Sequence, residues 1–208
     1  MAYTIDIFDT KWKVVSTFAL DEKLFCDEIV NKDLIHEYYL LQMSNARNNP
    51  ACVKWRWEVN GSWRKLYKQK GTGNARVGDK NSPIRRWGGV AFGPRGERNF
   101  TKAMNKKARR VALNGLLTLK AQEQGLMWIT GLSFDAPKTK MAVDVLKNLG
   151  LTNKKVVVVL DKNDEQLKKS FRNVEGVKYL LVNYLNPFDI MHADTILFTE
   201  HSLQELQK

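Results

Sequence analysis

Between Arg47 and Arg98 the chain sets thirteen Lys and Arg residues among glycines and aromatic rings, its densest concentration of side chains able to hold a ligand. They are Arg47, Lys54, Arg56, Arg64, Lys65, Lys68, Lys70, Arg76, Lys80, Arg85, Arg86, Arg95 and Arg98. Lys102, Lys106, Lys107, Arg109 and Arg110 follow directly. From Ser44 to Arg110 there are 18 basic and 3 acidic residues, a net of +15, whereas the rest of the chain has 16 basic and 19 acidic. A segment so unbalanced repels itself unless a polyanion neutralises it, and nucleic acid is the usual polyanion. Phosphates attract Lys and Arg without regard to base sequence, and Arg adds bidentate geometry and planar stacking. Eight glycines between Gly61 and Gly96 let the backbone approach RNA closely. Trp55, Trp57, Trp63, Tyr67, Trp87, Phe92 and Phe100 can stack on unpaired bases, at roughly 1–3 kcal/mol per base. Folded RNA offers such bases and regular duplex hides them, so structured RNA is the expected ligand. A small apolar cluster is the competing reading for each Trp, and a β-ribbon face for Trp55 with Trp57.

Catalytic chemistry finds no comparable footing. Gly71-Thr72-Gly73 lacks the preceding strand and following helix that a dinucleotide fingerprint needs. Gly73 and Gly78 have the spacing of a phosphate loop, but Asp79 stands where that loop requires Lys. Asp161 and Asp164 follow an apolar run, where doubly wound folds often place ligands. Turn and helix-capping chemistry explains them as well, and Asp135 and Asp189 likewise. His192 has no nucleophile or partner near it in sequence. Cys26, Cys52, His36, His192 and His201 are scattered without metal-ligand spacing and read as free side chains. No catalytic residue, metal or cofactor is expected.

The elements that must position the basic segment follow from periodicity. Tyr3, Ile5 and Ile7 alternate as a strand, and Lys13–Thr17 can pair back on it after a turn at 9–11. Asn31 is placed as an N-cap before a helix through Leu34, Ile35, Tyr38 and Leu41. Periodicity then disappears from 46 to 101, where only six aliphatic residues occur in 56. A stretch this long without structure is functional or disordered, and its seven aromatics argue for a segment that orders on a partner. Going out and back, it reaches at most about 90 Å. Asn105 is expected to cap a helix with Ala108, Val111, Ala112, Leu116 and Leu119 buried. A strand is expected at Leu126–Ile129, then a helix starting at Asp135-Ala136-Pro137 with Met141, Val145 and Leu149 inward. Val156–Leu160 reads as a strand buried on both faces. A helix from Asp164, a strand at Val177–Val182, a short helix capped by Asn186, a strand at Thr195–Thr199 and a final helix complete the pattern. Such alternation implies an α/β fold: a single globular domain (1–45 and 102–208) with a mainly parallel sheet flanked by helices, plus one long extended basic loop (46–101). No apolar run approaches 18 residues, so no membrane span is expected. The first residues lack signal and transit patterns, so the chain is expected to stay where it is made.

Several runs resemble the family of large-subunit ribosomal protein four, bacterial type. They are Lys70-Gly71-Thr72-Gly73-Asn74-Ala75-Arg76, Ser82-Pro83, Trp87-Gly88-Gly89-Val90-Ala91-Phe92-Gly93-Pro94, Asn105-Lys106-Lys107 and Ala136-Pro137-Lys138-Thr139-Lys140. The stretch from Arg172-Asn173-Val174 to Asn186-Pro187-Phe188-Asp189 adds to them. The resemblance covers nearly the whole chain and is weakest before Leu34. It implies a non-enzymatic constituent of the large ribosomal subunit, cytoplasmic, bound to large-subunit rRNA and neighbouring large-subunit proteins on the solvent side, and supporting assembly. It implies that the loop tip, Lys68, Gln69, Lys70, Gly71, Thr72 and Gly73, lines the peptide exit tunnel and meets the nascent peptide. The return arm is then Asn74 to Phe100. The rRNA-binding set adds Trp87, Lys106, Lys107, Arg109 and Arg110 to the thirteen basic residues. The chain departs from the family at Asn74, usually basic, at Asn60–Tyr67, with Tyr67 in a Trp position, and at Arg85–Gly89, where the glycine cluster is shorter. Some members repress their own messenger RNA, which is one alternative. A nucleotide-dependent RNA enzyme, resting on Val156–Leu160 followed by Asp161, is the alternative of a different class.

Overall fold

Val156–Leu160 forms a strand whose every residue is buried, which requires packed layers on both faces of a sheet. The computed structural model describes residues 3–9, 11, 13–22, 24–134 and 136–206. It divides into two units, residues 1–44 with 102–208, and residues 45–101. The first unit contains strands β1 (Thr4–Phe8), β2 (Val14–Ala19), β3 (Leu126–Ile129), β4 (Val156–Leu160), β5 (Val177–Leu181) and β6 (Thr195–Thr199). Its helices are α1 (Lys32–Asn45), α2 (Lys106–Gln122), α3 (Thr139–Asn148), α4 (Glu165–Phe171), α5 (Pro187–His192) and α6 (Glu200–Leu206). The sheet order is β2-β1-β3-β6-β4-β5. Among the described residues, only β1 and β2 pair antiparallel. Every other pairing is parallel.

Alternation along the strands sorts the core into two layers. Val157, Val159, Ile196 and Phe198 pack with Ile35, Ala112, Leu116 and Ile190 on one face. Val156, Val158, Leu160 and Leu197 pack with Ala142, Val145, Leu146, Leu167 and Phe171 on the other. The last strand, β6, lies between β3 and β4, and Ile196, Leu197 and Phe198 are completely buried there. The sheet therefore closes only when the C-terminal strand is in place.

Local chemistry starts the helices where polar caps are available. The Asn31 side chain accepts from Asp33 N and Leu34 N, both at 3.1 Å. Asp164 accepts from Gln166 N at 2.8 Å and Leu167 N at 3.4 Å. Asn186 accepts from Asp189 N at 2.9 Å. Asn105 precedes α2 as expected, but its side chain makes no capping bond. Helix α3 begins at Thr139 rather than at 135–137, and Asp135 lies outside the described residues. Val111 and Met141 were expected inward, yet they are 41% and 45% exposed. The packed stripes instead run through Ala112, Leu116 and Leu117, and through Ala142, Val145, Leu146 and Leu149. The apolar character of Val111 and Met141 suggests burial, but each contact face includes the next residue instead, Ala112 and Ala142. Among the described residues no helix is long and apolar enough to cross a membrane.

Val158 is wholly buried in the all-apolar strand β4. Val158→Asp places an unpaired charge in that layer, a loss of several kcal/mol. Its far-UV circular dichroism should show no cooperative thermal transition; a wild-type melting curve would mean that β4 does not anchor the sheet.

Candidate nucleic-acid interface

Residues 46–101 contain no helix or strand, so the shape of this unit rests on individual contacts. Val53 N donates to Pro94 O (3.2 Å), Val90 N to Lys54 O (3.0 Å) and Leu66 N to Gly78 O (3.1 Å). The Tyr67 hydroxyl donates to Ala75 O. These bonds join an outgoing arm to a returning arm in opposite directions, and the chain reverses between Tyr67 and Ala75. The expected tip, Lys68–Gly73, lies in that reversal with every residue exposed. Gly71 (φ +84°) and Gly73 (φ +68°) take left-handed conformations there, which L side chains adopt only with strain.

Two carboxylates brace the arms. Asp79, the only acid in the middle of the segment, is 5% exposed and receives both Nη2 (3.0 Å) and Nε (3.1 Å) of Arg56. Asn81, 1% exposed, donates from Nδ2 to Val59 O at 2.9 Å. Glu58 accepts from Trp55 N at 2.9 Å and from Arg95 Nη1 at 2.5 Å. The Arg95 guanidinium also lies 3.7 Å from the Trp55 ring centre, and Trp55 meets Trp57 edge to face at 4.8 Å. Trp55 thus belongs to a local cluster, and the β-ribbon reading of this pair fails because Arg56–Glu58 form a turn. The Trp55 backbone N–H, followed by the Arg95 guanidinium, holds the Glu58 carboxyl below the usual carboxylate range.

The structure separates the expected basic residues by what they touch. Arg56 and Arg95 are partly committed to these braces, and Arg47 (4.2 Å) and Arg98 (5.1 Å) both lie against the Phe100 ring. Among the described residues no carboxylate lies within ion-pair range of Lys54, Arg64, Lys65, Lys68, Lys70, Arg76, Lys80, Arg85 or Arg86. All nine are exposed. Lys106, Lys107, Arg109 and Arg110 belong to the other unit, in the first turns of α2. No acidic residue stands in that first turn, so Lys106 and Lys107 oppose the helix dipole, at about 0.3–1 kcal/mol each. A bound anion would turn that cost into a gain. The bracing roles of Asp79, Asn81 and Glu58 were missed from sequence; the rarity of acids in so basic a stretch was the available signal. Asp164, considered for ligand chemistry, is occupied in capping α4.

A sequence profile described as the ribosomal protein L4/L1 family matches residues 18–208. Among curated proteins, large ribosomal subunit protein uL4 of Halothermothrix orenii is 38% identical over 201 residues, covering 97% of this chain and 95% of that protein. Its counterpart in Geotalea daltonii is 40% identical over 203 residues, covering 98% and 96%. That of Parasynechococcus marenigrum is 39% identical over 203 residues, covering 97% and 95%.

Asp79→Ala removes the buried brace. Trypsin should cut within 45–101 faster than in wild type, while the thermal transition of the α/β unit stays put; equal cleavage rates would show that the pair does not hold the arms. The Glu58 carboxyl has a lowered folded pKa, so its contribution is complete above the ordinary glutamate range and is lost as pH falls through the lowered value. The Trp55 backbone amide resonance should titrate with a midpoint below that range, and Glu58→Gln should abolish the titration. A midpoint at or above the ordinary value would refute the bracing contact.

Proposed function

The chain belongs to the ribosomal protein L4/L1 family, and from that we propose that it is a structural constituent of the large ribosomal subunit that binds large-subunit rRNA. The observation that carries this reading is the set of nine exposed basic side chains without a carboxylate partner, distributed over two cross-bonded arms and their reversal. Each phosphate met by such a group releases counterions. The gain is largest where many cations are fixed close together before binding, because their mutual repulsion is relieved at the same time. The role is structural, and the α/β unit supplies the folded body that carries the basic segment. Residues 46–101 act as the rRNA-binding loop, with Lys106, Lys107, Arg109 and Arg110 adding phosphate contacts from α2. The protein works in the cytoplasm, within the large subunit, beside neighbouring large-subunit proteins, and supports the subunit's assembly.

The tip, Lys68 to Gly73, lines the peptide exit tunnel and faces the nascent peptide. What supports this assignment is the exposed reversal between Tyr67 and Ala75, whose two left-handed glycines keep the turn narrow. Lys68, Gln69 and Lys70 are then the side chains presented to the tunnel. Tyr67, whose hydroxyl is tied to Ala75 O, closes the base of the tip.

Full-length protein should bind protein-free large-subunit rRNA with log K falling against log salt at a slope steeper than about −5. Binding no tighter than to unrelated duplex, with a shallow slope, would defeat the reading. Lys70→Glu should leave the α/β unit folded while reducing incorporation into large subunits or altering the tunnel wall. Normal incorporation with an unaltered wall would count against the tip assignment.

A further inference from the structure

Trp87 and Phe92 are the two most exposed aromatic residues of the basic segment, at 82% and 102% of full exposure. They also share a backbone anomaly. Trp87 (φ 65°) and Phe92 (φ 55°) sit in the left-handed region, which among the described non-glycine residues holds only one other member, Gln124. Gln124 follows the end of α2, where that conformation is commonplace. For bulky aromatic residues in an irregular segment it is strained. Two rings are therefore held in water on unfavourable backbone. Backbone strain of this kind persists where surrounding contacts impose it, and it collects at functional sites.

The contacts that impose it are visible. Each strained aromatic is followed by closely packed glycine: Gly88 lies against its own arm, and Gly89 and Gly93 lie against the opposite one. A Cβ on Gly88 would overlap the Ser82 carbonyl, one on Gly89 the Arg56 backbone, and one on Gly93 the Val53 side chain. Gly88 N donates to Arg85 O and Gly89 N to Asn81 O, both at 3.0 Å. The Val90–Lys54 and Val53–Pro94 bonds pin the chain on either side of Phe92. With the backbone fixed inward at the glycines, the preceding rings are fixed outward. Trp57 and Trp63, 61% and 53% exposed, have no such backbone.

We propose that Trp87 and Phe92 are preset stacking points for unpaired bases of the bound RNA. The inference rests on the RNA-binding reading and deepens it, since it names unpaired bases as the ligand of two particular rings. Charge favours RNA over an apolar protein pocket: the segment from Asn45 to Thr101 carries 13 basic and 3 acidic residues. The exposed Arg86 guanidinium lies 5.9 Å from the Trp87 ring centre, so a base on that ring would have a cation beside it for its phosphate. Because the rings are already set, stacking on them costs little further ordering.

The test uses full-length protein and protein-free large-subunit rRNA, with affinity measured across a salt series. Phe92→Gly and Trp87→Gly each remove a ring and relieve the strained φ, so thermal stability should not fall. Each should weaken binding by about 5- to 150-fold without changing the salt slope, because a stacked ring releases no counterions. Phe92→Trp should bind like wild type, and Phe92→Leu should not. Wild-type affinity in both glycine variants would overturn the proposal. So would a reduced salt slope, or full rescue by Phe92→Leu, which would indicate simple apolar contact. Normal binding to free rRNA with failed incorporation into subunits would overturn it in favour of a protein neighbour. If wild-type protein itself does not bind the rRNA, the RNA-binding reading falls, and this inference with it.

Discussion

The ion pair between Arg56 and the nearly buried carboxylate of Asp79 joins the outgoing arm of the basic segment to the returning one. Thirteen basic and three acidic residues between Asn45 and Thr101 repel one another, and no regular hydrogen-bond ladder opposes them. An exposed pair would be worth about 1 kcal/mol or less. This one has its carboxylate out of water, so losing the guanidinium would strand a charge and cost more. Glu58 with Arg95 makes a second crossing, and Asn81 ties Val59 in the space between. Once these crossings hold the arms in register, the reversal at Lys68–Gly73 and the projecting rings at Trp87 and Phe92 follow.

The segment thereby divides its cations into two groups. A few arginines hold its shape, paired with acids or laid on aromatic rings, while the remaining lysines and arginines stay exposed and without a carboxylate partner. Charge delivers affinity for any polyanion, but it does not specify a fit. Glycine supplies the fit here in two ways. At the tip it permits left-handed turns, and along the return arm it lets one backbone lie directly on the other. Composition reads the same glycines as places for RNA to approach and for the chain to turn; the packing of one arm on the other is visible only in the structure.

The α/β unit meets different demands. Strand β4 needs apolar layers above and below, which α1, α2 and α5 supply on one face and α3 and α4 on the other. Because β6 lies between β3 and β4, the chain must be complete to its last strand before the central sheet exists. The basic segment is inserted between α1 and α2, outside that sheet, so its composition is free of the demands of the core.

Much of this was legible in the residues themselves. The alternation at Ile5 and Ile7, the apolar run at Val156–Leu160 and the caps at Asn31 and Asp164 are local signals, and each element appeared where its signal stood. Charge partition is likewise additive along the chain, and with the runs around Lys70 and Trp87 it points to a ribosomal family. Tertiary structure alone decided the rest: the central position of β6, the choice of Ala142 over Met141 for the core, Asp79 as a brace, and the left-handed backbone under Trp87 and Phe92. Periodicity reports which face of one element is apolar. Strand order, ion pairing and an imposed φ depend on residues far apart in sequence meeting in space, and no local pattern records that meeting.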